Sequence, residues 1–234
     1  MNSDAREENT NNSTARVECP NGDSACGYLR EIIQLREEVV RLNEQNRTDA
    51  LTGLYNFRFF NEALAIEMER TRRSGQTMAL ILLDVDHFKS FNDRLGHEAG
   101  NTALKHISRL IAQTVRKLDM ACRFGGEEFV IILPDTELGQ AVQVAERLRE
   151  ALTSAPIAIE DNEPVLLTLS AGVDTYTPMC GGTADSLLRR VDAWLYQAKH
   201  QGRNRVAHPV PEQKTAGAAV TPEEKAALLG SAGR

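Results

Sequence analysis

The sequence predicts an α+β fold, in which helices flank a central, largely antiparallel sheet and a separate helix precedes it. Between Thr48 and Val206, segments with helical apolar spacing alternate with short runs typical of buried strands. Short turn sequences separate two pairs of these strand-like runs, which indicates hairpins and therefore antiparallel pairing. Between Tyr28 and Asn46, apolar residues instead recur in steps of four and three, which indicates a helix with one apolar stripe.

The elements of the domain follow from their boundary residues and apolar periods. Asn56 can cap the first helix, and Gly75 and Gly96 can end the first two. Turn sequences at 125–127 and 161–162 join the two hairpins. The predicted helices are 56–74, 86–95, 101–117, 136–153 and 183–201, and the predicted strands are 77–84, 120–124, 128–133, 157–160, 165–173 and a short one near Arg205.

Residues 28–47 are predicted to form a coiled-coil dimerisation helix. Ile and Val occupy its a positions, Leu occupies its d positions, and Asn46 is polar at a late a position. This choice favours a parallel two-stranded coiled coil and thus a homodimer. Fewer than three heptads are marginal without support from the rest of the protein. An amphipathic helix that folds back on its own domain remains the alternative.

The two ends of the chain are predicted to be disordered tails. Residues 1–27 are rich in Asn, Ser, Asp and Glu, and residues 208–234 in Pro, Ala, Gly and Lys. Cys19 and Cys26 lie in the first tail without a second Cys or His pair nearby, which favours two free thiols over a zinc site. The domain between the coiled-coil helix and the second tail is predicted to span 48–207.

Composition excludes several classes of protein. Hydrophobic residues make up 41% and charged residues 26% of the 234 positions, as in ordinary globular proteins. The apolar run 78–85 is too short to span a bilayer, and the polar N-terminus lacks a secretory signal. We therefore expect a cytoplasmic protein without membrane insertion. The net charge of −6 argues against a general nucleic-acid binder, but a metal and a few cations suffice for a single nucleotide.

Two acidic clusters suggest a magnesium site. Asp84 and Asp86 follow a buried strand, where carboxylates suit Mg²⁺, although Asp86 alone also suits a helix cap. In the hairpin turn, two glycines precede Glu127 and Glu128. A turn has no need of two acidic residues, and if it lies beside Asp84, three or four carboxylates converge. Such crowding calls for a divalent cation.

These clusters belong to a longer series of motifs, by which the chain closely resembles the GGDEF-domain diguanylate cyclases in their GGEEF form. The resemblance covers roughly 49–205 and combines several ordered motifs. They are DALTGLYN at 49–56, DVDHFK at 84–89, FND at 91–93, GHEAG at 96–100, RFGGEEF at 123–129 and AKHQGRN at 198–204.

The resemblance implies an enzyme with a nucleotidyl-cyclase palm-like fold, in which two subunits each present one GTP and form cyclic di-GMP and two pyrophosphates. It implies that Mg²⁺ or Mn²⁺ is held by Asp84, the Val85 carbonyl, Glu127 and Glu128, and that Glu127 also takes the proton of the 3′-hydroxyl. Lys89 would stabilise phosphate charge, and Lys199 and Arg203 would hold the β- and γ-phosphates. Solvated Lys89 and Arg203, and a Lys199 paired with an acid, are the alternatives. The resemblance also implies that His87 and Phe88 contact the substrate.

One position departs from the family pattern. Family members usually recognise guanine through an Asn, here Asn92, and an Asp, whose position is occupied by Asn101. A carboxylate accepts from both guanine donors, whereas an amide offers one acceptor and one donor and can match adenine. Asn101 therefore binds guanine more weakly, admits ATP so that cyclic GMP-AMP also forms, or only caps a helix starting at Thr102.

The resemblance also implies an inhibitory site for cyclic di-GMP at Arg116 and Asp119, with Arg147 as an auxiliary cation. Arginine suits phosphates and guanine, and Asp can accept from the guanine edge. The alternative is an ordinary i,i+3 salt bridge at a helix end. Two further functions stay open: a non-catalytic cyclic di-GMP effector, and a coiled-coil scaffold with a vestigial domain. The intact acidic residues favour the cyclase over both.

Overall fold

A computed structural model describes residues 27–45, 47–159, 163–179 and 181–210. The chain divides into two compact units between Arg47 and Thr48. The described part of the first unit is one helix, α1 (Gly27–Gln45). The second unit contains the remaining elements in the order α2 (Phe57–Ser74), β1 (Met78–Val85), α3 (Phe88–Leu95), α4 (His97–Thr114), β2 (Met120–Gly125), β3 (Glu128–Leu133), α5 (Leu138–Ser154), β4 (Leu169–Tyr176), α6 (Ala184–His200) and β5 (Val206–Ala207).

The five strands form one sheet in the order β2-β3-β1-β4-β5. Neighbouring strands are antiparallel except for β4 and β5, which are parallel. This confirms the predicted α+β fold with a largely antiparallel sheet. The central strand β1 is buried along its whole length, because helices cover both faces of the sheet.

Alternate residues of β1 point into two separate cores. Ile81 and Leu83 pack with apolar side chains of α3, α4 and α5. Leu80 and Leu82 pack on the opposite face with side chains of α2 and α6. Asp84 continues the second series, so its side chain leaves the sheet on the α6 face.

The predicted boundaries of α2 are confirmed. The Asn56 side chain accepts a hydrogen bond from the Phe59 backbone N–H at 3.0 Å, as a helix cap does. Gly75 ends the helix in the left-handed conformation, at φ 79°, which glycine adopts without steric strain.

The predicted start of α4 is wrong. The helix begins at His97, directly after Gly96, and not at residue 101. Asn101 therefore lies inside the second turn of α4, and the interpretation of Asn101 as a helix cap is also wrong. Gly100 is buried within this helix, and its close contact with Asn92 is described below.

Several predictions fall partly or wholly outside the described residues. These are the tails, apart from Gly27, which begins α1, and 208–210, together with Cys19, Cys26, Asn46 and the turn at 161–162. Of the second hairpin, the structure describes an antiparallel bridge between Ile157 and Val165. No helix among the described residues has both the length and the apolar content needed to cross a bilayer.

Candidate functional site

The two acidic clusters meet at one end of the sheet. Asp84 in β1 lies opposite Glu128 in β3 in the antiparallel register, and directly opposite residues project to the same face. The backbone carbonyl of Glu127 accepts a hydrogen bond of 3.4 Å from the Val85 N–H. The turn thus lies beside the end of β1, as the expected convergence of carboxylates requires.

The crowding of these carboxylates changes their proton affinity. Burial raises the pKa of Asp84, and the charges of Glu127 and Asp86 add to this, against the lowering effect of Lys199. Burial likewise raises the pKa of Glu128, with further increases from the charges of Asp84, Glu127 and Asp192. Burial and neighbouring carboxylates thus both disfavour the charged forms of Asp84 and Glu128.

Lys199 is the cation at the centre of this site. Its Nζ lies 2.7 Å from Asp84 Oδ2. It reaches this position because α6 packs directly on β4 at Gly172, where a Cβ atom would lie 2.2 Å from the Val191 carbonyl oxygen. Lys199 does pair with an acid, as the alternative interpretation has it, and that acid is the predicted metal ligand Asp84.

The donor set suits a hard divalent cation. Carboxylates of Asp84, Glu127 and Glu128 and the carbonyl of Val85 are all oxygen donors, the kind that Mg²⁺ and Mn²⁺ prefer. Within the described residues, no three His, Cys, Asp or Glu side chains are already gathered closely enough to hold an ion. The Lys199 ammonium instead offsets the charge of Asp84, so an ion would replace this contact. The residues at this site therefore suit Mg²⁺ or Mn²⁺.

Asp86 is neither a free metal ligand nor a helix cap, the two roles that the sequence suggested. His87, and not Asp86, occupies the cap position of α3, without a side-chain cap bond. The Asp86 carboxylate is buried and accepts hydrogen bonds from Thr168 Oγ1 at 2.6 Å, Ser170 Oγ at 2.7 Å and the Asn204 backbone N–H at 3.0 Å. Both carboxylate oxygens are thus occupied by protein donors, which argues against Asp86 as a metal ligand and as a cap.

A buried polar atom that lacks a partner within the described part of the chain lies where α3 meets α4. The Oδ1 atom of Asn92 is buried and has no hydrogen-bond partner among the described residues. Gly100 faces it so closely that a Cβ atom there would lie 2.0 Å from this oxygen and 3.3 Å from the Phe88 ring. Asn101 follows Gly100 in the helix and is half-buried. A buried amide oxygen without a hydrogen-bond partner destabilises the folded state unless a ligand donates a hydrogen bond to it.

The other predicted substrate contacts lie around this end of the sheet. His87, at φ 57°, and the exposed Lys89 flank the buried Phe88, which stacks on Phe91 with ring centres 5.9 Å apart. The exposed Arg203 follows α6, and its N–H donates to the Ala198 carbonyl at 3.1 Å. Arg203 and Lys199 therefore belong to one continuous segment beside the carboxylates.

Arg123, for which the sequence predicted no role, stabilises the hairpin turn that carries Glu127 and Glu128, called the acidic turn below. Arg123 Nη1 lies 3.2 Å from Asp49 Oδ1, and its Nε and Nη2 donate to the Gly126 carbonyl at 3.0 and 2.8 Å. Asp49 and Arg123 are distant in sequence, and no local signal connects them. Their contact ties the start of the domain to the acidic turn.

Of the predicted inhibitory residues, Arg116 and Asp119 follow the C-terminal end of α4, and Arg147 lies in α5. The Asp119 carboxylate accepts from the Arg116 backbone N–H at 2.6 Å. Burial raises the pKa of Asp119, while the Arg116 backbone hydrogen bond and the charges of Arg116 and Arg147 lower it. Among the described residues, no ion pair joins the side chains of Arg116 and Asp119, contrary to the simple salt-bridge alternative.

Residues 46–205 match the family described as "Diguanylate cyclase, GGDEF domain". The chain belongs to the GGDEF family. It is 41% identical over 160 residues to the response regulator PleD of Caulobacter vibrioides. The matching segment covers 68% of this chain and 35% of PleD. It is 42% identical over 159 residues to the diguanylate cyclase DgcP of Pseudomonas aeruginosa, covering 68% of this chain and 23% of DgcP. The chain thus spans about a third or less of these curated relatives.

Solved GGDEF structures share the fold. The coiled coil and GGDEF domain of DgcB from Caulobacter crescentus, in complex with c-di-GMP, has a TM-score of 0.68 and 31% identity, covering 78% of this chain and 95% of that one. Diguanylate cyclase SiaD of Pseudomonas aeruginosa, in complex with its activator SiaC, has a TM-score of 0.67 and 37% identity, covering 77% and 68%. The GGDEF match includes every predicted site residue described above.

Proposed function

We propose that this protein is a diguanylate cyclase that condenses two GTP molecules into cyclic di-GMP and releases two pyrophosphates. The observation that carries the proposal is the meeting of Asp84, Glu128 and Lys199 at one end of the sheet. Membership of the GGDEF family and relatives named diguanylate cyclases support it. Because GTP is a cytoplasmic nucleotide, the proposal also places the reaction in the cytoplasm.

The reaction assigns a task to each group at this site. Phosphoryl transfer depends on positioning and on charge stabilisation more than on covalent help from the protein. Asp84, Glu127, Glu128 and the Val85 carbonyl would hold Mg²⁺ or Mn²⁺, which supplies charge neutralisation at the phosphates. Glu127 would accept the proton of the attacking 3′-hydroxyl. Within this proposal, the cations and the buried amide bind the nucleotide: Lys89, Lys199, Arg203 and Asn92.

The product requires two active sites that face each other. Each 3′-hydroxyl attacks the α-phosphate of the other nucleotide, so one subunit holding one GTP cannot complete the ring. We propose a homodimer whose pairing depends on α1. The exposed apolar stripe of that helix supports this, and its test is given in the Discussion.

The direct test is incubation of the purified full chain with Mg²⁺ and GTP, ATP or both, followed by mass spectrometry of the products. We expect cyclic di-GMP, and we expect Asp84→Asn and Glu127→Gln to abolish it. Asp174→Asn is the control, because Asp174 is another buried carboxylate of the sheet that pairs with Arg190, away from the acidic turn. Tight cyclic di-GMP binding without any turnover would contradict the proposal and favour a non-catalytic effector.

A second candidate function is a cyclase of relaxed specificity that also uses ATP. Its basis is Asn101, which follows Gly100, the glycine in close contact with Asn92, at the position where the family usually has an Asp. An amide satisfies one guanine donor fewer than a carboxylate does, and a site that leaves a polar edge unmatched loses discrimination. Cyclic GMP-AMP among the products from mixed nucleotides would support this candidate.

Asn101→Asp tests the part that Asn101 plays in base recognition. The restored carboxylate accepts from both guanine donors, so we expect a lower KM for GTP, by about tenfold, and a higher ratio of GTP to ATP use. Steady-state kinetics with each nucleotide measures both quantities. Thr102→Ser, at the exposed neighbouring position, is the control. Unchanged selectivity in Asn101→Asp would exclude Asn101 from base recognition.

A further inference from the structure

The loop that follows α6 holds an unusual backbone conformation at the phosphate-binding cation. Arg203 and Asn204 are consecutive residues with positive φ, at 61° and 46°. Asparagine adopts this region fairly often, but arginine rarely does because its Cβ atom crowds the backbone. Such a turn persists only where neighbouring groups hold it in place.

Asp86 is the charged group that holds this turn. Its Oδ2 accepts the Asn204 backbone N–H at 3.0 Å and Thr168 Oγ1 at 2.6 Å, and its Oδ1 accepts Ser170 Oγ at 2.7 Å. Asp86 is only 3% exposed. Hydrogen bonds to an ionised, buried acceptor are stronger than bonds between neutral groups. One carboxylate thereby joins the end of β1, the start of β4 and the turn after α6.

Further contacts fix the other side of the same turn. The Asn204 side-chain oxygen accepts from Arg149 Nη1 at 3.4 Å and lies 3.5 Å from Thr153 Oγ1, both on α5. The Arg203 N–H donates to Ala198, and the Arg205 carbonyl accepts from the Ala171 N–H at 2.9 Å. The backbone around Arg203 is therefore fixed, while its guanidinium remains exposed to solvent.

We propose that Asp86 is a positioning residue, which acts through Arg203 by fixing the left-handed turn that presents its guanidinium to the nucleotide phosphates. The inference rests on the proposed function, because it assigns Arg203 to the β- and γ-phosphates. It differs from a metal-binding role, since protein donors already occupy both oxygens of Asp86. It also differs from a purely structural role, because it predicts a loss confined to phosphate recognition.

The test compares two probes that differ in their phosphates. 3′-Deoxy-GTP carries the β- and γ-phosphates but has no attacking hydroxyl, and GMP lacks those phosphates. Calorimetry with Mg²⁺ gives the affinity of the full chain for each. We expect Asp86→Ala to weaken 3′-deoxy-GTP binding about tenfold, the effect of a lost charge-assisted contact, and GMP binding by less than about twofold. Equal losses for the two probes would overturn the proposal.

The conservative variant Asp86→Asn provides a graded result and a substitute if the alanine variant does not fold. The Ser170 hydroxyl can turn to accept from the new amide, so the amide oxygen keeps the Asn204 bond in a weaker, neutral form. We expect it to weaken 3′-deoxy-GTP binding about threefold, again with GMP binding nearly unchanged. A larger effect in Asp86→Asn than in Asp86→Ala, or none in either, would contradict the proposal.

A double-mutant cycle separates action through Arg203 from general loosening. If Asp86 acts through Arg203, then Asp86→Ala adds almost nothing in an Arg203→Ala background, whereas independent effects add. Asp174→Asn is the matched control, since Asp174 lies four positions from Ser170 in β4, about 13 Å along the strand. We expect it to lower Tm without changing the ratio of the two affinities.

These measurements distinguish failure of the inference from failure of the proposed function. A wild-type protein that binds 3′-deoxy-GTP but does not convert GTP would refute the cyclase and still allow the cycle to be completed. A wild-type protein that turns over GTP, with additive effects of Asp86→Ala and Arg203→Ala, would refute only the positioning role. Absence of 3′-deoxy-GTP binding in the wild type would overturn both.

Discussion

Gly100 leaves room for the side chain of Asn92 because it has no side chain of its own. A Cβ atom at this position would lie 2.0 Å from Asn92 Oδ1, far inside van der Waals contact. In Gly100→Ala the Asn92 amide must move out of its buried position. We therefore expect the KM for GTP to rise about tenfold, with kcat changing less, because the lost contact is with the base. Steady-state kinetics measures this.

A second helical glycine provides the control. Gly139 in α5 has nothing within 4 Å of its missing Cβ. Gly139→Ala should leave the KM unchanged and add up to about 1 kcal/mol to the free energy of unfolding, because alanine favours the helix. An unchanged KM in Gly100→Ala would show that Asn92 takes no part in nucleotide binding.

Glu67 is a buried carboxylate that the proposed chemistry does not use. It is 6% exposed in α2, and burial raises its pKa above the ordinary value of 4.5, more than Arg70, at 3.6 Å, lowers it. The folded state thus binds this proton more tightly than the unfolded state, so stability is lost as the pH rises through the folded pKa. We expect Glu67→Gln to raise Tm at pH 8, with the gain shrinking as the pH falls toward 4.5.

Thermal unfolding over a series of pH values measures this effect. Glu69→Gln is the control on the same helix, since Glu69 is exposed and bonds to Arg73 lower its pKa. That variant should show no gain at pH 8. A Glu67→Gln gain that is constant from pH 8 to pH 4.5 would contradict a role for the ionised carboxylate.

At the scale of elements, the turn between α4 and β2 is the candidate for product inhibition. The charges of Arg116, in this turn, and of Arg147, in α5, both lower the pKa of the Asp119 carboxyl. We expect Arg116→Ala to abolish inhibition by cyclic di-GMP, because the arginine supplies the contact to phosphate or guanine. Initial rates at increasing cyclic di-GMP measure it. Lys117→Ala removes the same charge from the same turn and should keep the inhibition, whereas equal inhibition in wild type and Arg116→Ala would exclude this site.

The elements also show what the sequence can predict. Strand β1 and helix α2 follow from local signals, an unbroken apolar run and two boundary residues, and the structure confirms both. The start of α4 does not follow in this way. Gly100 is a poor helix former, and its place in the helix reflects the constraint that the Asn92 side chain leaves no room for a Cβ atom. That constraint comes from another helix and carries no mark in the local sequence.

The site shows the same division. The acidic residues could be predicted to converge because a hairpin turn and a strand end are local features. The Lys199 contact with Asp84 joins residues far apart in the chain, and so do the bonds of Asp86 with Thr168, Ser170 and Asn204. The sequence left a metal ligand and a helix cap as alternatives for Asp86, whereas long-range hydrogen bonding determines its actual position.

At the scale of the whole molecule, α1 carries an exposed apolar stripe. Tyr28, Leu35, Val39 and Leu42 are exposed by 78%, 58%, 55% and 52%, and Ile32 by 43%. These are the residues at a and d positions predicted from the heptad spacing. A stripe of this kind is normally covered by a partner helix, and the proposed reaction needs two chains.

Charge on this stripe should therefore separate the subunits and remove activity together. Leu35→Glu places two like charges at a d position of the paired helices, so we expect monomers in light scattering and, at micromolar protein, at least about a tenfold loss of GTP turnover that higher protein concentration restores by mass action. Glu37→Lys, on the opposite side of the helix, changes charge without touching the stripe and should keep the dimer. A Leu35→Glu protein that stays dimeric, or one that is monomeric and fully active, would show that α1 does not bring the two active sites together.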